Sequence, residues 1–155
     1  MDADGYYFTH FLQDKAKTAY GGAELKYGYK DWFDASLKGT FYSWKTDNEN
    51  EELYLMTKPK FELNFYAEAK VFEGLKVYLG YEYVQRKEYV IEEGNSSRDF
   101  GLGNISNLSV GASYTFLKDL SVFGRVNNLL NKQYYYEYGY PAEKLNVLAG
   151  LSLVF

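Results

Sequence analysis

The stretch that decides the fold runs from residue 60 to 71 and reads Lys60-Phe61-Glu62-Leu63-Asn64-Phe65-Tyr66-Ala67-Glu68-Ala69-Lys70-Val71. Every second side chain is apolar, and the positions between them carry polar or charged side chains, with the ring of Tyr66 among them. Because successive side chains point to opposite faces of a β-strand, this pattern predicts a strand with one apolar and one polar face.

The same alternation recurs along most of the chain. It covers 18–30, 33–42, 75–83, 108–116 and 145–155, and an aromatic stretch from Tyr6 to Leu12 resembles one more strand. The segment 120–130 is weaker, because Phe123 falls on the side of Ser121 and Arg125. We therefore predict an all-β fold of about eight strands, most of them long enough to cross a bilayer when tilted.

Composition excludes several classes of protein. The chain has 155 residues, which suits one domain, and its 18 tyrosines and 11 phenylalanines favour strands. There is no cysteine, so disulfides, thiolate zinc sites and cysteine nucleophiles are excluded. A net charge of -4 provides no positive surplus for a phosphate backbone, so nucleic acid is not an expected partner.

The connections between the segments alternate between short and long. Short ones fall at 30–32, 72–74 and 117–119, and long ones at 46–58, 86–106 and 131–143. In a three-residue hairpin loop the third residue adopts a left-handed conformation, which suits Gly74 and, less well, Asp119. Trp32 tolerates that conformation poorly, so we expect a longer or bulged turn there.

Short turns at one end and long polar loops at the other are typical of an antiparallel up-and-down transmembrane β-barrel. A soluble barrel of the lipocalin kind has the same alternation, with its apolar side turned inward. Mixed charges on the polar sides, aromatic residues at the ends of the apolar stripes and a final residue, Phe155, on such a stripe favour the membrane barrel. No apolar window is long enough for a membrane helix, and the start, 1–5, lacks the features of an export signal.

The end of the chain carries a more specific pattern. It contains Arg125-Val126-Asn127-Asn128-Leu129-Leu130-Asn131-Lys132-Gln133-Tyr134, then Tyr138-Gly139-Tyr140-Pro141, then Gly150-Leu151-Ser152-Leu153-Val154-Phe155. This order resembles the end of TonB-dependent outer-membrane receptors, and Tyr20-Gly21-Gly22-Ala23-Glu24-Leu25 is similar to a strand found earlier in those barrels. The match is most specific over the last 40 or so residues.

The resemblance implies a bacterial outer-membrane location and a Bacteroidetes-like transporter as the parent protein. In that family a barrel of about 22 strands with a plugged lumen imports iron chelates, cobalamin or glycans with TonB energy. Residues 1–155 would be the C-terminal part of such a barrel without the plug, so TonB would act only through the missing plug. The implied partners are outer-membrane lipid and the barrel-assembly machinery. A terminal alternating aromatic strand is the expected assembly signal, and it consists here of Val147, Ala149, Leu151, Leu153 and Phe155.

Two other interpretations stay open at this point, a complete small outer-membrane barrel and a soluble lipocalin-like carrier. About eight strands also suffice for a complete small barrel with a structural or surface-binding role. If the segment comes from a larger barrel, its two open edges would expose unpaired backbone groups to lipid. We therefore hypothesise that the isolated segment closes on itself or pairs with a copy.

Candidate functional residues follow from the faces and the loops. The charges predicted to face the lumen and to form ion pairs are Glu24, Lys26, Glu62, Glu68, Lys70 and Arg125, together with Lys38, Glu82 and Arg86. The loop predicted to contact a ligand or the membrane interface carries Tyr134, Tyr135, Tyr136, Tyr138 and Tyr140. His10 is the only histidine, and the acidic run 47–52 fits no calcium-loop spacing. We expect no metal site, no cofactor and no enzymatic activity.

Overall fold

The computed structural model describes residues 15–46, 55–87, 90–93, 96–99, 102–137 and 140–154. The strands in these ranges are β1 (Ala16–Tyr29), β2 (Phe33–Thr46), β3 (Pro59–Phe72), β4 (Leu75–Arg86), β5 (Val90–Glu93), β6 (Ser96–Asp99), β7 (Ile105–Leu117), β8 (Leu120–Asn127), β9 (Tyr135–Glu137), β10 (Tyr140–Pro141) and β11 (Asn146–Leu153). The predicted strand from Tyr6 to Leu12 lies outside the described residues. No helix in the described ranges has the length and apolar character needed to cross a membrane.

Seven of these strands form one antiparallel sheet. Their order is β1-β2-β3-β4-β7-β8-β11, while β5 with β6 and β9 with β10 form two separate hairpins. The sheet is not closed, because β1 and β11 lie at its opposite edges. The predicted antiparallel all-β fold is therefore confirmed, whereas closure of the segment into its own small barrel is not observed in the described strands.

The register brings the alternating stripes of all seven strands into two continuous faces. Leu37 is opposite Phe65, and Phe65 is opposite Tyr81 on the next strand. Because directly opposed residues share a face, the apolar residues gather on one side. This apolar face includes Ala19, Leu25, Leu37, Phe41, Phe61, Leu63, Phe65, Leu79, Tyr81, Val110, Val122, Val126, Val147, Ala149, Leu151 and Leu153. The opposite side, the polar face, includes Tyr20, Glu24, Lys26, Lys38, Tyr42, Trp44, Glu62, Asn64, Tyr66, Glu68, Lys70, Lys76, Glu82, Asn107 and Arg125.

The weak alternation of β8 has a packing explanation. Phe123 lies on the polar face, where it is opposite Gly150 of β11. A Cβ atom added to Gly150 would lie 2.6 Å from the Cζ atom of Phe123, so the ring occupies the space above a residue without a side chain. The other face of β8 carries Val122 and Val126, which continue the apolar face.

The three short turns lie together at one end of the sheet, the short-turn end. Gly74 has a φ of 82°, which confirms the predicted left-handed position, and the register shifts between Lys70 and Phe72. Asp119 does not adopt a positive φ, so that prediction is wrong. The prediction of a longer or bulged turn before β2 is also wrong: Tyr29 pairs with Phe33 across a three-residue loop, and the left-handed residue is Lys30, with a φ of 53°.

The core is small and lies at the other end, the long-loop end, where the long connections begin. It consists of Val84, Ile105 and Tyr134, with Ala142 against it. The apolar face is half-buried on the central strands and exposed on the edge strands, where Leu25 is 69% and Leu151 is 72% exposed. A contiguous apolar surface of this extent requires another medium or another chain to cover it.

Candidate functional site

The predicted charges all lie on the polar face, but only some of them form ion pairs. Lys26 contacts Glu24 on the same strand, with 3.3 Å between Nζ and Oε1. Glu68 pairs across strands with Lys76, which the sequence did not single out, at 3.1 Å. The hydroxyl of Tyr66 also donates a hydrogen bond to Glu68, at 3.0 Å.

Glu62 is satisfied by a tyrosine. The Tyr42 hydroxyl donates a hydrogen bond to Oε2 of Glu62 over 2.8 Å. Glu24 and Lys38 are opposite each other in the register, and with Arg125 they line a groove of about 330 Å³ that crosses the polar face. The remaining groove residues include Ser36, Asn64, Tyr66, Glu82, Asn107 and Ser109. This surface carries cations, carboxylates and neutral hydrogen-bonding groups, the mixture that a water-filled lumen requires.

A row of aromatic rings lies on the polar face toward the long-loop end. Tyr20 of β1 is opposite Tyr42 of β2, with 6.1 Å between ring centroids. Trp44 lies two residues further along β2, with its ring 6.0 Å from that of Tyr42 and only 18° from parallel. The indole Nε1 donates a 2.7 Å hydrogen bond to the carbonyl oxygen of Pro59, which fixes the ring.

Two cavities flank this aromatic row. One, of about 380 Å³, is lined by Tyr20, Glu24, Lys38, Thr40 and Tyr42, with Gly22 and Ala23 beside them. The other, of about 390 Å³, is lined by Tyr42, Ser43, Trp44, Leu55, Lys58, Lys60 and Lys87. Lys58 lies over the Trp44 ring, 5.7 Å from its centroid. This row was not predicted, although the aromatic residues two positions apart on a polar face are visible in the sequence.

The tyrosine-rich loop forms the hairpin of β9 and β10. Tyr134 is only 5% exposed and belongs to the core, so its ring is not available to a ligand. Tyr136 packs against it in a T-shaped contact, with 5.5 Å between centroids, and remains exposed, as does Tyr140. Partial burial and the nearby Glu82 carboxylate raise the pKa of the Tyr136 phenol. Tyr138 lies outside the described residues, and Tyr135 precedes Tyr136 on β9.

Asn128 anchors this hairpin to the sheet. It is 1% exposed, and its Nδ2 donates hydrogen bonds to the carbonyl oxygens of Lys132, at 2.8 Å, and Glu143, at 3.1 Å. Its Oδ1 accepts a bond from the backbone N–H of Lys132, at 3.1 Å, and its own N–H donates to Asn107 at 3.1 Å. Asn128 and Asn131 both have positive φ, near 50°, a conformation that asparagine tolerates better than most residues.

Arg86, the last residue of β4, contacts the same hairpin. It is buried at the end of β4, its Nη1 donates to the carbonyl oxygen of Tyr135, and its backbone N–H donates to Oδ1 of Asn104 at 2.9 Å. Its Nε has no partner among the described residues. The hairpin is therefore held by a buried asparagine on one side and a buried arginine on the other.

The predicted assembly residues occupy the edge strand β11. Val147, Ala149, Leu151 and Leu153 are exposed on the apolar face, and Phe155 lies outside the described residues. His10 and the acidic run 47–52 also lie outside them. In the described ranges no three histidine, aspartate or glutamate residues come together as a metal site would require.

Comparisons with known proteins show the fold alone. No protein-family model matches the chain, and no curated protein matches its sequence. Among solved structures, FpvA of Pseudomonas aeruginosa in complex with a heterologous pyoverdine and iron matches with a TM-score of 0.71, at 18% identity over 89% of this chain. The complex of FpvAI with pyocin S2 matches with a TM-score of 0.71, at 17% identity over 89% of this chain.

The chain spans about a fifth of the length of both matched chains, 19% and 20%. These matches support the fold of a receptor barrel and give no support to the Bacteroidetes-like source that the resemblance implies. The described residues thus share the fold of part of the two matched barrels, in the form of one open antiparallel sheet of seven strands.

Proposed function

We propose that this chain is the C-terminal part of a bacterial outer-membrane receptor that imports a scarce ligand with TonB energy. The observation that carries the proposal is the apolar face, which runs unbroken across seven strands and whose apolar side chains are exposed or half-buried on each of them. A bilayer is the medium that covers such a face on a barrel, because strands satisfy each other's backbone groups and turn apolar side chains to lipid. The proposal gives the chain no enzymatic activity.

In this arrangement the polar face lines the lumen. Its groove mixes Glu24, Lys38, Glu82 and Arg125 with hydroxyl and amide groups, and it leads to the aromatic row at the long-loop end. Trp44 and Tyr42 would contact a ligand by stacking, and the exposed rings of Tyr136 and Tyr140 would contact it or the membrane interface. An iron chelate, cobalamin or a glycan remains the expected class of ligand.

The other proposed partners follow from the same placement. Outer-membrane lipid would contact the apolar face, and the barrel-assembly machinery would recognise the exposed alternating residues of β11. TonB would act through a plug supplied by another part of the parent protein.

The proposal is tested in the bacterium that makes the protein. Fractionation should recover the protein in the outer membrane, and disruption of its gene should abolish uptake of one ligand among labelled iron chelates, cobalamin and glycans. Loss of TonB should abolish the same uptake. Recovery in the soluble fraction would contradict the membrane location, and uptake that persists without TonB would contradict the energised step.

A further inference from the structure

Two lysines face each other at the edge of the apolar face. Lys17 of β1 is directly opposite Lys45 of β2, and both side chains are exposed. Their register places them on the same face as the next opposed pair inward, Ala19 and Ser43. The Cβ atoms of directly opposed residues are about 5 Å apart, so the two lysine side chains begin side by side at the long-loop end of this face.

Like charges placed directly opposite each other destabilise a strand pair. The sheet contains a second such pair, Lys70 opposite Lys76, but there Glu68 lies 3.1 Å from the Lys76 ammonium. Lys17 and Lys45 form no ion pair with an acidic side chain of the described residues. An anion between these two ammonium groups would relieve their repulsion, as Glu68 does for the other pair.

The surroundings of the two lysines indicate the kind of anion. Directly below Ala19 and Ser43 on the same face, Gly21 is opposite Phe41, whose exposed ring lies 4.5 Å from that of Phe61. The site therefore combines positive charge at the margin with an apolar surface beneath it. A lipid has this same order of groups, with its phosphate at the membrane surface and its acyl chains below.

We propose that Lys17 and Lys45 bind the phosphate of an anionic lipid headgroup, with the acyl chains lying over the apolar surface around Phe41. This inference rests on the proposed function, because it needs the apolar face to be embedded in a bilayer. Each ammonium has three N–H donors and can hold a phosphate oxygen, and neither is paired with a carboxylate of the described residues. A free phosphate ion would satisfy the charge and leave the apolar surface uncovered.

Lipid binding in detergent tests the inference. The purified full chain is titrated with short-chain phosphatidic acid, and native mass spectrometry counts the bound lipid. The double variant Lys17→Ser/Lys45→Ser should weaken this binding on the order of thirtyfold, because each lysine near an anionic lipid surface contributes about 1 kcal/mol to binding. The matched control, Lys26→Ser/Lys38→Ser, removes the same charge from the polar face and should leave the affinity unchanged.

Two results would overturn the inference. One is an equal loss of affinity in the control, which would indicate a general effect of net charge. The other is full competition by inorganic phosphate, which would assign the lysines to a free ion. Short-chain phosphatidylcholine, whose headgroup has no net charge, should bind more weakly than phosphatidic acid and equally to all variants.

A separate measurement distinguishes failure of this inference from failure of the proposed function. Protease protection in phosphatidylcholine vesicles reports whether the wild-type chain inserts at all. Insertion without any preference for phosphatidic acid would overturn the lipid site and leave the barrel assignment intact. Recovery of the parent protein in the soluble fraction instead of the outer membrane would overturn both.

Discussion

The side-chain amide of Asn128, at the end of β8, donates a hydrogen bond to the carbonyl oxygen of Glu143, fifteen residues further along the chain, at 3.1 Å. The same amide also bonds to Lys132, so one buried side chain closes both ends of the connection that contains the tyrosine-rich hairpin. The connection is long, but its path is determined near the sheet by these bonds. This gives a physical reason for asparagine at this position of the motif that resembles the receptor family.

Replacing Asn128 with alanine should release the hairpin. The change leaves the carbonyl groups of Lys132 and Glu143 and the N–H of Lys132 without this partner, at a cost of about 1–3 kcal/mol for each group that water does not reach. Limited proteolysis should therefore cut between 131 and 145 in Asn128→Ala much faster than in the wild-type chain. Asn64→Ala is the control, because Asn64 is exposed on the polar face of β3. Equal cleavage of both variants would contradict the anchoring role.

A charge on the apolar face should prevent stable insertion. Leu37 is in the middle of the apolar residues of β2, opposite Leu25 and Phe65. Arginine at the bilayer midplane of a barrel costs about 2–4 kcal/mol. We expect Leu37→Arg to lower the free energy of unfolding in lipid vesicles by an amount that approaches this range.

The matched control for that charge lies at the same height on the other face. Asn64 is next to Phe65 in β3 and is opposite Lys38 and Glu82. An arginine at this position would therefore have one positive and one negative side chain beside it. Asn64→Arg should change the unfolding free energy in vesicles by less than about 1 kcal/mol. A larger loss in Asn64→Arg than in Leu37→Arg would mean that the two faces are assigned the wrong way round.

The turn between β3 and β4 depends on glycine. Gly74 has a φ of 82°, and an added Cβ would lie 2.4 Å from the carbonyl oxygen of Thr115. The left-handed conformation alone costs an L-residue about 1–2 kcal/mol, and the contact with the backbone adds to this. Gly74→Ala should therefore lower the unfolding free energy by more than about 2 kcal/mol. In Gly124→Ala the added Cβ would meet nothing within 4 Å, and we expect little change. Similar losses in the two variants would contradict the explanation.

Sequence alternation was sufficient for the faces of the sheet, because a slip of one residue in the register would move every apolar side chain of a strand to the polar face. The pattern thus predicts one face for Leu37, Phe65 and Tyr81, and their register confirms it. The turns were harder: Lys30, not Trp32, adopts the left-handed conformation, a choice that depends on local geometry.

The site was less predictable than the fold. The tyrosine-rich loop was predicted as one set, yet Tyr134 is buried while Tyr136 and Tyr140 are exposed, since only the folded chain brings Val84 and Ile105 against the first ring. The hydrogen bonds of Asn128 likewise depend on carbonyl groups that lie close to it only when the hairpin has folded back toward the sheet. The ion pairs depend on side-chain reach as well as register, so Glu24 contacts Lys26 and not the directly opposite Lys38.

The aromatic row should contribute to ligand affinity if the proposed function is correct. Trp44 is fixed by its bond to Pro59 and borders the larger of the two cavities beside the row. Aromatic contacts of this kind contribute about 0.5–1.5 kcal/mol, so Trp44→Ala should weaken binding of the imported ligand about two- to tenfold. Trp32→Ala, at the short-turn end, removes the other tryptophan and should leave the affinity unchanged. The measurement is ligand binding to whole cells that express each variant at equal surface density. A loss of affinity confined to Trp32→Ala would place the ligand at the opposite end of the barrel.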